Sequence, residues 1–223
     1  MLEVAVYLGI HEVVILGDYA DFYAVSRHRK DPRVQTLLLD EVESVNQGLD
    51  ELDRLFPEAK RVFLEGNHEL RLESYLIEQA PALFGVTSVQ HLFGLERRGW
   101  KFQSFGRNQA YPVLGSSLLA FHRPQASSAR LHIQKALADS IYGDIHKIEL
   151  AHAVSRDKRR VTAACPGWLG DVSSRVFDYM PSVPQWQLGF AVVSIETSSP
   201  DFHIEIAEIK NHSLVFGGKV FKK

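Results

Sequence analysis

Four short apolar segments of this sequence end directly at residues that could bind a metal ion or transfer a proton. The segments and the residues that follow them are VVIL (13–16) before Gly17-Asp18, RVFLE (61–65) before Gly66-Asn67-His68-Glu69, SLLAF (117–121) before His122, and SIY (140–142) before Gly143-Asp144-Ile145-His146. Open α/β sheets gather ligands at the carboxyl ends of their strands, so the pattern predicts that these polar side chains converge at one edge. The glycines let the backbone turn sharply, which directs the next side chain into a crevice.

The first half of the chain alternates predicted helices and strands. A short helix over 2–9 leads into the first strand, and helices over 36–56 and 68–79 flank the second. The helix over 36–56 carries one apolar stripe with helical spacing, formed by Leu38, Val42, Val45, Leu49, Leu52 and Phe56. This alternation favours parallel strands joined by right-handed crossovers.

The second half is predicted to be rich in β-structure. It opens with WKFQSF (100–105) and includes a helix over 126–138, with Ala126, Ala129, Ile133 and Leu137 on one side. The later strands are ELAHAV (149–154), RVTAAC (160–165), FAVVSI (190–195), FHIEIAEI (202–209) and SLVFGGKVF (213–221). Apolar alternation in these strands favours an antiparallel sheet. We therefore expect one α/β domain, residues 1–223, with two mixed β-sheets packed as a sandwich and flanked by helices.

Composition narrows the classes of partner. The formal net charge is −2 and the pI about 6.6, so no global positive field favours nucleic acid. Cys165 is the only cysteine, which excludes an intrachain disulfide and fits a reducing compartment. No apolar run reaches the roughly 18 residues that span a membrane, and the N-terminus lacks the basic region and cleavage site of a signal peptide. We expect a cytoplasmic protein with no membrane partner.

Each polar motif also has a purely structural explanation. Gly17-Asp18 and Gly143-Asp144 are ordinary turn dipeptides, and Asn67 could simply cap the following helix. His122 could be a half-buried polar residue at a strand end. The functional interpretation depends on finding all four motifs in this order, each directly after a strand.

Taken in order, the motifs resemble those of the calcineurin-like metallophosphoesterases. That family carries D-x-H, then G-D-x-x-D, then G-N-H-[D/E], then a lone histidine, then G-H-x-H. Here GDYAD (17–21) and GNHE (66–69) match fully, His122 in AFHRP takes the place of the lone histidine, and GDIH (143–146) takes that of the last motif. The resemblance covers roughly residues 13–196. The stretches DFYAVSRHRKDP (21–32) and PQWQLGFAVV (184–193) are similar to the phage-associated branch of the family.

The resemblance implies a divalent-metal site. Asp18 would bridge two metals, because a carboxylate has two oxygens to share. Asn67, His122 and Asp144 would complete the second metal's ligands, and His146 would belong to the first metal. This mixture of carboxylate, amide and imidazole ligands suits Mn²⁺ best in our interpretation, with Fe, Zn²⁺, Ni²⁺ or Co²⁺ as alternatives.

The resemblance also implies a catalytic pair and substrate contacts. His68 would donate a proton to the leaving alkoxide, and Asp21 would fix the orientation of its ring. The cationic side chains near the motifs are candidates for binding substrate phosphate or, alternatively, solvated loop residues: Arg27, His28, Arg71 and Arg123. Trp168 and Trp186 are candidates for substrate walls or for core packing.

Two departures from the family pattern change the metal ligands, and the first of them weakens the site of the first metal. D-x-H is absent, because the sole upstream histidine is His11, without an aspartate two residues before it. The family's first strand would lie before the helix over 2–9, and this sequence is expected to begin after it. The first histidine of G-H-x-H is replaced by Asp144. We therefore expect a one-metal site, or a weakened two-metal site. The missing strand would leave an unpaired sheet edge, so we also expect a homo-oligomer or a late strand that fills the gap.

The leading prediction is a metal-dependent phosphoesterase that hydrolyses phosphomonoesters or phosphodiesters by metal-activated water. A non-catalytic scaffold with the same fold is one alternative, which the absence of D-x-H favours. A nuclease is the other alternative, and the mildly acidic charge counts against it.

Overall fold

The computed structural model of the protein describes residues 1–171, 185–199 and 201–222. The α-helices in these ranges are α1 (Leu2–Leu8), α2 (Leu38–Leu55), α3 (Leu70–Gln79), α4 (Val89–Leu92) and α5 (Ala129–Ala136). The strands are β1 (Glu12–Ile15), β2 (Lys60–Leu64), β3 (Lys101–Gln103), β4 (Tyr111–Pro112), β5 (Leu119–Phe121), β6 (Ser140–Tyr142), β7 (Ile148–Val154), β8 (Arg160–Pro166), β9 (Gly189–Ile195), β10 (Phe202–Glu208), β11 (Ser213–Phe216) and β12 (Lys219–Lys222). The mixed α/β class is confirmed. None of the helices described is both long and apolar enough to cross a membrane.

The described residues divide into two compact units. The first unit holds those within Met1–Gly9, Gln109–Gly170 and Pro184–Lys223, and the second holds those within Ile10–Asn108 and Asp171–Val183. The single domain and the sandwich packing of its sheets stay predictions. Pro184, which opens the stretch PQWQLGFAVV, lies outside the described residues.

The second unit contains a three-stranded parallel sheet in the order β1-β2-β3. The parallel pairing predicted from the strand–helix alternation is therefore confirmed here, with Val14 opposite Val62. Strand β1 is an edge of this sheet, and no later strand among the described residues joins it. The late strand proposed to fill the gap is thus not found in the described part of the chain, and the homo-oligomer stays a prediction.

Helix α2 forms where the apolar stripe predicts it. Its inward face buries Val45, Leu49 and Leu52, and Phe56 just beyond its end is also buried. The Asp40 carboxylate accepts a hydrogen bond from the backbone N–H of Leu37, which helps to close the first turn. Burial of one stripe fixes the rotation of this helix about its axis, because turning it would expose the apolar residues to water.

Asp53, near the end of α2, connects three segments of the second unit. Its Oδ1 accepts hydrogen bonds from Arg61 of β2 and from the indole N–H of Trp100, both at 2.8 Å. Its Oδ2 accepts one from Arg98 at 2.7 Å. The pairs are largely shielded, since the side chains of Arg61 and Arg98 are 15% and 11% exposed. The charge network therefore holds α2 against β2 and the segment that leads into β3.

The first unit contains a five-stranded mixed sheet in the order β4-β5-β6-β8-β7. Strands β5, β6 and β8 run parallel, while β4 and β7 pair antiparallel at the two edges. The strands β9 and β10 form an antiparallel pair, as do β11 and β12. The antiparallel pairing expected for the later strands is confirmed, although it is divided between separate small sheets.

Helix α5 is shorter than the sequence predicted. It begins at Ala129 because Ser128 caps it, its hydroxyl accepting a hydrogen bond from the backbone N–H of Leu131. It ends at Ala136, since Leu137 adopts a left-handed backbone with φ of 48°. The helical assignment of Ala126 and Leu137 was therefore wrong, and Leu137 is largely exposed.

His132 of α5 lies in the core of the first unit. Its ring contacts those of Phe121 and Tyr142, with centroids 5.5 and 5.0 Å away. Its Nδ1 accepts a hydrogen bond from the backbone N–H of Gln125, so in the neutral ring Nε2 carries the proton and donates to the Ser140 hydroxyl. Burial lowers the pKa of His132 below its usual 6.5. The neutral ring is therefore the form that fits this core.

Replacing Asp53 should destabilise the second unit. Asp53→Ala leaves Arg61, Arg98 and the Trp100 N–H without their shared acceptor, and we expect a loss of about 2–3 kcal/mol in the free energy of unfolding. Urea denaturation measures it. Glu51→Ala is the control, because its pair with Arg54 is open to solvent and should contribute less than about 1 kcal/mol. Equal stabilities for the two variants would contradict the role of Asp53.

Acidification should destabilise the protein through His132. The folded pKa lies below the unfolded value of about 6.5, so the unfolded chain takes up this proton first and stability falls as the pH drops through that value. His132→Asn keeps an acceptor oxygen but does not titrate there. Urea unfolding from pH 7.5 to 5 should show a shallower decline for this variant than for the wild type or for His203→Asn, an exposed control. Identical slopes in all three proteins would contradict the prediction.

Candidate functional site

In the second unit, the loops after β1 and β2 contact each other through their motif residues. Asp18 has a left-handed backbone with φ of 54°, an uncommon conformation for a residue other than glycine. Its Oδ1 accepts a hydrogen bond from the backbone N–H of His68 at 2.9 Å. The GDYAD and GNHE motifs, distant in sequence, are therefore adjacent within this unit.

Glu69, the last residue of GNHE, joins the two loops by accepting hydrogen bonds from the backbone of both. Its side chain is fully buried, and its Oε2 accepts hydrogen bonds from the backbone N–H groups of Asp18 and Gly66 at 3.0 and 2.8 Å. Its Oε1 accepts a third from Ala20 at 2.9 Å. Burial, followed by the negative charge of Asp18, raises the pKa of Glu69 to about 7 despite these three donors. Sequence reasoning assigned no role to this residue, although an acidic side chain at the start of a helix after a buried strand was a visible signal.

Gly66 is required by the close approach of the two loops. A Cβ at this position would collide with the backbone nitrogen and the carboxylate of Asp18, and would press on the Glu69 carboxylate. Because these atoms belong to Asp18 and Glu69, which hold the two loops together, position 66 has no room for a side chain. The glycine of GNHE thus has a steric role in addition to its part in the turn.

His68 and Asp21 form the pair that the resemblance implied. His68 Nδ1 lies 2.7 Å from Asp21 Oδ1, and Arg71 NH1 donates to the same Oδ1 and to the Asp21 carbonyl, both at 2.7 Å. Burial pushes the pKa of Asp21 up, but the hydrogen bond from His68 and the charge of Arg71 outweigh it, so the pKa is below its usual value. Asp21 is therefore an ionised acceptor, and His68 Nδ1 is the donor.

The other ring nitrogen of His68 is also occupied. Arg71 NH2 lies 3.0 Å from His68 Nε2, and a guanidinium can only donate, so Nε2 is the acceptor. Asp18 Oδ2 lies 3.7 Å from the same nitrogen. A ring with its proton on Nδ1 fits the contacts of Asp21 and Arg71. Asn67 lies between Gly66 and His68 in the same turn and is partly buried.

In the first unit, His122 and Asp144 lie beyond the ends of neighbouring strands. His122 follows β5 and is fully buried, and its backbone N–H donates to the side-chain oxygen of Gln109 at 2.7 Å. Its carbonyl accepts a hydrogen bond from Gly143, which ties the end of β5 to the end of β6. Asp144 has a positive φ of 65°, and its Oδ1 lies 3.5 Å from His122 Nε2. The parallel pairing of β5 and β6 thus brings the third and fourth motifs together.

Asp144 is also held by Arg123. The guanidinium donates to both carboxylate oxygens, each at 3.2 Å. Burial favours protonation of Asp144, but the hydrogen bonds from His122 and Arg123 outweigh it and lower its pKa to about 2. The carboxylate is therefore ionised at neutral pH and retains lone pairs for another cation. Arg123 was predicted as a substrate contact, and its position beside Asp144 keeps it next to the candidate ligands of this unit.

His146, assigned by resemblance to the first metal, lies among aromatic rings. It stacks on Trp168 at a centroid distance of 5.2 Å and meets Trp186 edge-on at 4.8 Å. Its φ of 54° is again left-handed. The two tryptophans therefore pack around a candidate ligand, and their role as substrate walls stays a prediction.

The remaining predicted substrate residues lie in an exposed loop. Arg27 forms an ion pair with Glu78, and both side chains are well exposed. The backbone N–H of His28 donates to the hydroxyl of Ser26, and the His28 side chain is exposed. Arg71, the other candidate of this unit, contacts both His68 and Asp21.

Each unit carries side chains with the oxygen or nitrogen donors that metal ions bind. Asp18 in the second unit, and His122 and Asp144 in the first, are side chains that could serve as ligands. Comparisons with protein-family models, with curated proteins and with solved structures found no match.

The Glu69 contacts predict a structural role for that carboxylate. Glu69→Gln replaces one acceptor oxygen by an N–H₂ group that faces a backbone donor. We expect it to lower the free energy of unfolding by about 1–3 kcal/mol, measured above pH 7, where the Glu69 carboxylate is ionised. Glu73→Gln, at an exposed position of α3, should leave stability unchanged. Equal effects of the two substitutions would show that the three hydrogen bonds contribute nothing.

Proposed function

We propose that this protein is a calcineurin-like, metal-dependent phosphoesterase that hydrolyses phosphomonoesters or phosphodiesters by metal-activated water. The observation that carries the proposal is the 2.7 Å contact between His68 Nδ1 and Asp21 Oδ1. An ionised carboxylate behind a histidine orients the ring and stabilises its protonated form, which suits a general acid.

The proposed ligands are oxygen and nitrogen donors. Asp18, Asn67, His122 and Asp144 would hold one divalent ion, with Mn²⁺ preferred and Fe, Zn²⁺, Ni²⁺ or Co²⁺ as alternatives. The two carboxylates balance the charge of a divalent cation. When bound, such an ion lowers the pKa of a coordinated water and polarises phosphoryl oxygens. His146 would serve a second, weaker ion.

The protein's own residues would then handle the leaving group. Asp21 keeps the His68 ring oriented, and His68 would give a proton from Nε2 to the leaving ester oxygen. The backbone N–H of His68 donates to Asp18, so the acid and the metal-binding carboxylate are held at a fixed spacing. This hydrogen bond therefore joins the turn of the proton donor to the turn of the proposed ligand.

A second candidate function is a non-catalytic scaffold with this fold. The observation that favours it is the bidentate contact between Arg123 and Asp144, because a guanidinium already neutralises that carboxylate. In this case the acidic groups stabilise the loops and no metal is needed. Metal binding and turnover distinguish the two functions.

Hydrolysis of p-nitrophenyl phosphate and its bis ester, with added Mn²⁺, tests the enzyme. We expect turnover by the wild type and a decrease of about 10²–10⁴-fold in kcat for His68→Ala, because the leaving group loses its proton donor. His11→Ala, an exposed histidine, should retain wild-type activity. Absence of turnover with every metal tried would favour the scaffold.

Metal content after extensive dialysis tests the ligand set independently. We expect a single tightly held Mn²⁺ in the wild type, and loss of that ion in Asp18→Asn and in His122→Ala. Two tightly held ions per chain would contradict the one-metal site. Retention of the ion in both variants would contradict the proposed ligands.

A further inference from the structure

A cavity of about 280 Å³ lies in the second unit, between the loop after β1 and the first turns of α2. Its lining includes three residues of that loop and three of the helix, which are Tyr19, Ala20, Asp21, Asp40, Glu41 and Ser44. Asp21 is also the partner of His68, at 2.7 Å. The cavity therefore adjoins the pair of residues that would handle the leaving group.

The lining gives this cavity a negative charge. None of the described residues that line it is an arginine or a lysine. Arg71 offsets the charge of Asp21, whereas neither Asp40 nor Glu41 forms an ion pair within the described part of the chain. Asp40 accepts one backbone N–H group and Glu41 accepts two, so both carboxylates retain lone pairs. A cleft lined by one sign of charge attracts the opposite sign, and this cavity therefore favours a cation.

Tyr19 adds an aromatic wall that is held in place from two sides. Its ring meets that of Phe63 edge-on at a centroid distance of 6.1 Å. Its hydroxyl lies against α2 at Gly48, where a Cβ would collide with it. Glycine is unfavourable inside a helix, and the close approach of Tyr19 gives a reason for its presence here. Aromatic faces attract ammonium groups, so this wall favours the same kind of ligand as the two carboxylates.

We propose that this cavity binds the alcohol portion of the substrate, and that Asp40 and Glu41 select an alcohol that carries an ammonium group. The inference rests on the proposed function and deepens it, because it names the substrate class as phosphate esters of small amino alcohols. Pockets for small molecules begin at about 300 Å³, so a cavity of about 280 Å³ admits only a small group. The two carboxylates repel anionic alcohols, such as the nucleotides of a nucleic-acid chain.

Hydrolysis of such an ester needs no reactant besides water. The phosphorus–oxygen bond to the alcohol breaks, water supplies a hydroxyl group to phosphorus, and a proton passes to the alcohol oxygen. The ammonium group keeps its charge throughout, so its attraction to Asp40 and Glu41 is the same in the ester and in the released alcohol. The free amino alcohol is therefore itself a ligand of the cavity, and its binding can be measured without turnover.

NMR titration of the full chain with choline tests this binding. The matched probe is 3,3-dimethylbutan-1-ol, which has the shape of choline without its charge. We expect the amide signals of residues 19–21 and 40–45 to shift, and choline to bind at least about tenfold more tightly than the neutral alcohol. Raising the salt concentration should weaken the binding of choline alone. Equal affinity for the two probes, or no binding of choline, would overturn the proposal.

Asp40→Asn is the main variant, because it removes the charge but keeps an oxygen for the backbone N–H of Leu37. It should lower the affinity for choline by about fivefold and leave that for the neutral alcohol unchanged. Ser44→Leu should fill the cavity and weaken the binding of both probes. Glu43→Gln, an exposed acid of α2 outside the cavity, is the matched control. Wild-type affinity for choline in both cavity variants would contradict the site.

Steady-state kinetics with phosphocholine and 3,3-dimethylbutyl phosphate connect the cavity to the reaction. The wild type should hydrolyse phosphocholine with a kcat/KM at least about tenfold higher. Asp40→Asn should reduce this preference through KM more than through kcat, because the ammonium group is attracted equally before and after the reaction. Phosphatidylcholine vesicles are the third substrate. Release of choline from them alone would assign the ammonium group to a lipid headgroup, and release from phosphocholine alone would assign it to a soluble ester.

These outcomes separate the inference from the proposed function. Binding of choline that depends on Asp40, without turnover of any ester, would support the cavity and contradict the hydrolase. Turnover without preference for the ammonium group would support the hydrolase and contradict the cavity. Urea unfolding of each variant confirms that it is folded under the assay conditions, and Ser44→Leu serves if Asp40→Asn does not fold.

Discussion

The buried Glu69 carboxylate accepts hydrogen bonds from three backbone N–H groups. The loops that carry GDYAD and GNHE in the second unit depend on this interaction. Two turns that follow parallel strands would otherwise expose unsatisfied donors to a buried space, which is costly. One carboxylate satisfies donors from both turns and so fixes their spacing. Asp18, His68 and Asp21 acquire their positions from this arrangement, because each is in or beside a turn that Glu69 holds.

The same combination of charged side chains occurs in both units. In the second unit, Arg71 and His68 both contact Asp21 and keep its carboxylate ionised. In the first, Arg123 lies against Asp144, which His122 also contacts. Each unit therefore pairs its acid with a histidine and an arginine. An aspartate, a histidine and an arginine together are expected in a site that binds phosphate. The same combination is expected in acidic loops that are stabilised without a metal.

Much of the fold follows from local patterns. The stripe on α2 predicted both a helix and its buried face, and strand–helix alternation predicted the parallel pairing of β1 with β2. Both ends of α5 were misjudged, because a capping serine at its start and a left-handed leucine at its end outweighed an apolar periodicity. The pairing of His68 with Asp21 followed from the motif resemblance. The contacts of Arg71 with both did not, because they depend on where the first turn of α3 points.

By itself, the sequence determined which residues follow each strand and therefore which chemical groups are available at the strand ends. Its local periodicity also determined most of the helices and strands. Only the tertiary structure decided that Glu69 is a buried acceptor, that Arg71 donates to His68 Nε2, and that Asp144 is shared with Arg123. The reason is physical, because a hydrogen bond forms only when donor and acceptor lie within about an ångström of the ideal distance and point at each other. Packing between segments far apart in the chain sets both this distance and this direction.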